Sequence, residues 1–186
     1  MVDDGLIGSS LTTLVVIRGN SGSGKSSVAR ELRLRWGRGV ALVEQDYLRR
    51  IVLRERERPG GLAPALIAQT VRFALDHNYC VVLEGILYAR LYREQLAQLQ
   101  AAHRGRTSIY YLDVSLEETL RRHATRPQAT QFTPEEMRGW YVPRDLLGFD
   151  GEQIIAETSS LEETVAQIAD SAGILLSTPP LDPASE

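Results

Sequence analysis

One lysine is all that this chain of 186 residues contains; the other 20 of its 21 basic residues are arginine. Such a bias follows most simply from codon usage in a GC-rich genome, so the place of the single lysine is more informative than the bias. Cysteine is as scarce. Cys80 stands alone, which excludes an internal disulfide, and with no His or Cys partner at metal-ligand spacing it gives no basis for a structural zinc site. It reads as a small buried hydrophobe opening a strand. Long apolar runs are missing too: the longest reach about 5 to 6 residues, against roughly 20 for a membrane helix. No membrane association is expected. The acidic start Met1-Val2-Asp3-Asp4 lacks the basic opening of a signal peptide, so the protein is expected to be cytoplasmic. Positive charge is not in excess either. A formal net charge of -3 makes a nucleic-acid partner unlikely on bulk electrostatics, although a local arginine cluster can still grip a phosphate. No internal repeat is present.

What remains is an ordinary globular composition, 43% hydrophobic and 24% charged, in a length that suits one domain. Short β-branched runs alternate with helical patterns. Strands are expected at 12–17, 40–44, 80–84 and 108–114, with a weaker one at 153–157. Helices are expected from Lys25 to about Trp36, near 47–56, at 64–77 and at 88–102, and from about 116 to 125. Ser115 with Glu118, Thr133 with Glu136, and Ser160 with Glu163 read as capping boxes, the last opening a helix to Ala172. Strands this apolar need cover on both faces, and the crossovers are helical. The expected fold class is therefore α/β, a doubly wound parallel sheet with helices on both faces. Residues 126–151 break the alternation and read as a mobile lid with a short helix inside. Residues 57–61 form a turn, and residues 1–10 and 177–186 read as flexible tails around a domain at 11–176.

The lysine falls in Gly19-Asn20-Ser21-Gly22-Ser23-Gly24-Lys25-Ser26, which matches G-x-x-x-x-G-K-[ST] at every fixed position, after a strand and before a helix. A chance match in such a chain has odds below roughly one in a hundred. The glycines let successive N–H groups turn inward around a phosphate, and the helix N-terminus adds partial positive charge. Residues Gly19 to Ser26, together with Ser27, are thus the expected nucleotide-binding set. Lys25 is expected at the β- and γ-phosphates and Ser26 on Mg²⁺.

On these residues the chain resembles the P-loop small-molecule kinases, a group that includes gluconate kinase, chloramphenicol phosphotransferase, adenylylsulfate kinase and the zeta-toxin kinases. The resemblance covers residues 12 to about 172, with the P-loop as its specific part. It implies a P-loop NTPase fold with five parallel strands, the P-loop strand central, and an arginine-bearing lid at about 121–151. It also implies ATP and Mg²⁺ as cofactors and a small-molecule acceptor as the partner. Asp46, just after the second strand, then looks like the catalytic base; the alternative is a helix N-cap. Glu84, closing the third strand where the group often carries Asp, serves the metal or the acceptor, or is a solvated strand end. Arg122 and Arg126 share a helix face and match the lid arginines that clamp the transferring phosphoryl group. Arg138 and Arg144 are later lid candidates. Tyr47, Tyr88 and Tyr92 are candidates for the acceptor pocket, with packing as the alternative. The basic run Arg49, Arg50, Arg54, Arg56 and Arg58, broken by Glu55 and Glu57, reads as a solvated helix or an anion-binding face.

The expected function is ATP-dependent phosphorylation of a small-molecule hydroxyl. A nucleotide-binding switch and a nucleic-acid end kinase are the alternatives. A guanine-specific N-K-x-D motif is impossible, because the only lysine is already in the P-loop. None of the three histidines has a nucleophile partner at a recognisable spacing, so a hydrolytic triad has no support. Lys25→Ala is expected to lower nucleotide-dependent turnover by about 10² to 10³, the cost of one preorganised donor. Turnover measured beside a circular dichroism check of the fold tests this, and equal activity would remove the P-loop assignment.

Overall fold

The computed structural model describes residues 5–124 and 133–176. Five strands, β1 (Thr13–Gly19), β2 (Val40–Glu44), β3 (Cys80–Gly85), β4 (Arg106–Asp113) and β5 (Gln153–Ala156), form one sheet in the order β2-β3-β1-β4-β5. Every pairing is parallel. The helices are α1 (Lys25–Trp36), α2 (Ala63–Asp76), α3 (Ala89–Ala102), α4 (Leu116–Ala124), α5 (Pro134–Trp140) and α6 (Leu161–Ala172).

The run of apolar residues in β1 explains the layering. Successive side chains of a strand point to opposite faces. Leu14 and Val16 enter the core beneath α2 and α3, whereas Val15 and Ile17 enter the core beneath α1 and α6. All four are essentially fully buried. A strand with no polar face can sit only in the middle of a covered sheet, and β1 does. From β1 the chain runs to the edge strand β2, returns to β3, then crosses to β4 on the other side. That reversal places a crevice at the C-terminal end of β1, where ligands of open α/β sheets bind.

Several expectations are corrected by tertiary contacts. The N-terminal segment is docked from Gly5 onward: Ile7 is buried, forms a parallel bridge with His103 and bonds Ala102 O and Arg104 N. Hydrogen bonds of the Gly8 N–H to Asp76 and of the Gly5 carbonyl to Arg72 complete the anchor. The helix expected over 47–56 is a six-residue π-helical turn, Tyr47–Val52, ended by Arg54 at φ +51°. The Glu55 carboxylate leaves that helix to accept the Leu62 and Ala63 N–H groups, capping α2. Two capping boxes form as expected, at Thr133 and Ser160. At Ser115 only half forms. Its Oγ accepts the Glu118 N–H, but its own N–H goes to Glu157, because Glu118 is drawn away by Arg121 and Arg122.

The segment expected as a mobile lid divides into parts. Residues 125–132, Arg126 among them, lie outside the described residues. α5 is seated by Met137, which is buried against the P-loop. A Cβ at Gly22, whose φ is +81°, would lie 2.8 Å from Thr119 O and 3.1 Å from Met137 Cε, so glycine is required there by space and by backbone. From Val142 to Glu152 the chain is a strap tied to the P-loop strand. Asn20 holds both main-chain groups of Val142, at 2.8 and 3.0 Å. Arg18, with no exposed surface, bonds Leu87 O at 2.9 Å, Asp145 O at 2.9 Å, Asp145 Oδ2 at 3.3 Å and Glu152 Oε1 at 2.8 Å. These buried bonds fix the strap where sequence alone suggested freedom.

Arg18→Met should therefore cost about 3 to 5 kcal/mol, since it leaves two carboxylates facing a cavity without their cation. Urea denaturation measures it. A loss below about 1 kcal/mol would show that the strap is held by other contacts.

Candidate functional site

The P-loop closes β1 and opens α1. Gly24, at φ +105°, is the N-cap of α1 and has no side chain to cap with, so the first-turn N–H groups are left to a ligand. Lys25 is almost wholly buried and lies back across the loop, with Nζ 2.8 Å from Asn20 O and 3.4 Å from Ser23 Oγ. Asn20 thus serves twice: its side chain anchors the strap while its carbonyl holds the lysine.

On one side of the loop opens a cavity of about 660 Å³ bordered by Lys25, Ser26, Asp46, Tyr47, Glu84 and His123. The parallel register brings the ends of β1, β2 and β3 level, and residues 58 positions apart in the chain meet there. Ser26 Oγ donates to Glu84 Oε1 at 3.0 Å. Glu84 is 5% exposed. Burial pushes its carboxyl above the usual carboxylate range; the Lys25 charge and the Ser26 hydroxyl oppose that shift, and Glu44 and Asp46 add to it. A solvated strand end does not describe it. Asp46 is more open and is held by Arg49 at 2.7 Å and Arg50 at 3.8 Å. It makes no capping bond, so the N-cap alternative falls away.

Among the described residues no cluster of three or more His, Cys, Asp or Glu forms a metal cage. The set present, a serine hydroxyl bonded to a buried carboxylate beside a phosphate loop, suits Mg²⁺, which is usually held by one or two protein oxygens plus phosphates and water.

On the other side of the loop a smaller cavity, about 280 Å³, lies between Ser23, Gly24, Arg122 and the turn after β5. Arg122 is placed here and not in the larger cavity, where its neighbour His123 stands in its stead. Hydrogen bonds from Arg121 and then Arg122 hold the Glu118 carboxyl down to about 2. Tyr88 is not brought to either cavity. It is buried, its hydroxyl donates to Trp140 O at 2.6 Å, and it takes the packing role. Arg138 pairs with Glu135 and Arg144 with Asp113 on the surface.

Sequence reasoning missed the second row of residues. Gln45, 1% exposed, donates to Tyr92 Oη at 2.9 Å and Glu57 Oε2 at 3.1 Å, and accepts the Leu87 N–H at 3.2 Å. Glu57 in turn holds Arg49 at 2.9 Å, the arginine that holds Asp46. Leu87, at φ +45°, is gripped at its N–H by Gln45 and at its carbonyl by Arg18. A branched apolar residue in that region costs of order 1 to 3 kcal/mol, so the loop that follows Glu84 is held by its neighbours. No motif marks a buried glutamine or a strained leucine. An arginine inside an otherwise apolar strand was the one visible signal.

A glycine-rich loop at the C-terminal edge of this sheet order, with a buried lysine across it and cavities on either flank, defines the P-loop NTPase fold, a nucleotide-binding class. A family model described as AAA domain matches residues 14–140, and the chain belongs to that family. The tunicamycin resistance protein of Deinococcus radiodurans is similar in structure, with a TM-score of 0.64 and 17% identity over 90% of this chain and 99% of that one. The APS kinase of Mycobacterium tuberculosis, solved with AMPPNP and APS, gives 0.64 and 18% over 86% and 96%. A gluconokinase from Sinorhizobium meliloti 1021 gives 0.58 and 18% over 89% and 95%. These likenesses establish the fold. No curated protein matches the sequence. Among the described residues no helix is long and apolar enough to cross a membrane.

Glu84 yields a prediction about pH. A carboxyl raised above its unfolded value, about 4.3, stabilises the fold below that value and loses the contribution as pH rises through its folded one. Glu84→Gln should therefore melt higher than the parent at pH 7.5, and the gap should close as pH falls toward 4. Thermal denaturation in a buffer series measures this; a gap that does not depend on pH would show that Glu84 is not the group responsible.

Proposed function

We propose that this protein is an ATP-dependent kinase that phosphorylates a hydroxyl of a small molecule, working in the cytoplasm where ATP is the available donor. The observation that carries the reading is the single cavity uniting Lys25, the Ser26–Glu84 pair and Asp46. Phosphoryl transfer needs little covalent help from a protein. Positioning and charge neutralisation do most of the work, and these groups supply both.

In this reading the P-loop amides, residues Gly19 to Ser27, hold the β-phosphate, and Lys25 leaves Asn20 O to neutralise the β- and γ-oxygens. Ser26 and Glu84 would hold Mg²⁺, which supplies neutralisation of the charge on the phosphates. Asp46 stands across the cavity and accepts or orients the acceptor hydroxyl, with Arg49 and Arg50 fixing its carboxylate. Tyr47, 56% exposed and in the lining, forms an apolar wall for the acceptor. His123 also borders this cavity. Arg126 is retained as the lid arginine.

The test is ADP release over a panel of alcohols, sugars, nucleosides and antibiotics, with background ATPase subtracted. Stimulation by one class is expected. No stimulation, together with nucleotide-dependent capture of a purified protein, would favour a switch. Asp46→Asn is expected to cut acceptor-dependent turnover by about 10² to 10⁴ while ATP affinity and melting temperature hold. A variant that folds, binds ATP and phosphorylates at the parent rate would remove Asp46 from the mechanism.

A further inference from the structure

The fold sorts the run Arg54-Glu55-Arg56-Glu57-Arg58 by charge. Exposure alternates along it: the three arginines are open to solvent and the two glutamates are partly buried. Glu55 accepts the Leu62 and Ala63 N–H groups, and Glu57 is engaged by Gln45 and Arg49. The carboxylates that would have neutralised the run are thus turned to other partners, and among the described residues Arg54, Arg56 and Arg58 pair with none. On a chain of net charge -3 this leaves a local basic surface, which raises the concentration of anions near it.

Directly after Arg58, the turn at 59–61 and the start of α2 border a cavity of about 650 Å³ whose other wall is α3. That volume suits a small organic ligand. None of its lining residues borders either cavity beside the P-loop. Pro59, Pro64, Ala65, Leu91 and Ala97 make much of the lining apolar, and Arg90 and Arg93 enter it from one face of α3. Both arginines are exposed and each lies over a ring, Arg90 Cζ 5.2 Å from the centre of Tyr88 and Arg93 Cζ 5.7 Å from that of Phe149. The rings are themselves held: Tyr88 is buried and bonded to Trp140 O, and Phe149 packs against the core. Such a contact orients a guanidinium without using its N–H donors. Among the described residues neither arginine makes an ion pair or a hydrogen bond, so two oriented donor forks are left unused. Glu94 is the one acid of the lining, and Gln98 donates to it at 3.4 Å.

We infer that this cavity is a second anion site, which binds a small phosphate or sulfate ester between Arg90 and Arg93 with its organic part against the apolar lining. Residues three apart on a helix are close enough to converge on one group. The three terminal oxygens of a tetrahedral ester serve two forks at once, whereas one fork already occupies both oxygens of a carboxylate. The site stands apart from the phosphate loop and does not depend on the kinase reading.

Chemical-shift titration of the isotope-labelled full chain with phenyl phosphate, phenyl sulfate, benzoate and inorganic phosphate tests it. The amides of Gly60, Gly61, Arg90 and Arg93 should move with the esters, and the tighter of the two esters identifies the oxyanion. Benzoate carries the same ring and should bind about tenfold more weakly than that ester. Inorganic phosphate, which lacks the ring, should also bind more weakly. Arg90→Gln combined with Arg93→Gln should weaken the ester by about tenfold or more, while any movement at Gly22 and Gly24, which reports anions in the P-loop, stays as in the parent. Glu94→Gln removes the opposing charge and should tighten binding about two- to fivefold. Benzoate or inorganic phosphate binding as tightly as the ester overturns the inference, as do ester shifts confined to the P-loop, a double variant that binds like the parent, or weaker binding by Glu94→Gln. Should the double variant fail to fold, the parent series and Glu94→Gln decide.

Discussion

A guanidinium with no solvent contact is tolerated only where its donors meet acceptors on every side, and Arg18 imposes that condition at the last turn of the central strand. Burial lowers the tendency of this group to hold its proton, while Glu152 and Asp145 raise it again. Meeting the condition draws two separate pieces of chain to the strand: the loop at Leu87 and the strap, at both Asp145 and Glu152. The next residue is Gly19, where the phosphate loop begins. The site is thus built on a residue that touches no ligand, and the geometry of the loop, of the strap and of the segment after Glu84 is set in common.

The P-loop then divides two environments. Toward α1 and β3 lies a cavity bordered by carboxylates, Glu84 buried and Asp46 exposed; toward α6 lies a cavity walled by apolar and hydroxyl-bearing side chains and one edge-bonded arginine. Consecutive residues at the end of α4 serve the two sides, His123 the first and Arg122 the second. Neighbours on a helix are about 100° apart, so a helix end aimed at the loop necessarily straddles it.

The polar flank is kept at a cost to the fold. Glu84 is held in a place where its charge is disfavoured by burial and by two nearby carboxylates. Leu87 follows in a backbone conformation that leucine avoids. Leu87 is held by residues farther back, Gln45 and Arg18, and Glu84 by the Ser26 hydroxyl and the Lys25 charge. Such local conflict is characteristic of functional sites, where a rigid surround holds groups that would otherwise relax.

The sequence by itself determined the elements whose signals are local. The apolar runs of β1 and β3, the G-x-x-x-x-G-K-S loop and the capping boxes at Thr133 and Ser160 each carry their own pattern within a few residues; a parallel sheet covered on both faces followed from them, and the resemblance to the P-loop kinases implied the central place of β1. Ser26 was named from the P-loop motif and Asp46 and Glu84 from the resemblance to the P-loop kinases, and the structure brings the three to one cavity because strand ends in a parallel sheet come level. What tertiary structure alone decided depends on partners distant in the chain. Ile7 turned an apparent tail into a docked segment, Asn20 and Arg18 turned the far half of an apparent lid into a strap, Trp140 took Tyr88 out of the acceptor side, and Ser23 with Glu157 turned Arg122 edge-on. A side chain's role is set by which donors and acceptors remain available to it after folding, and the partners that engage Arg122 lie 99 and 35 residues away.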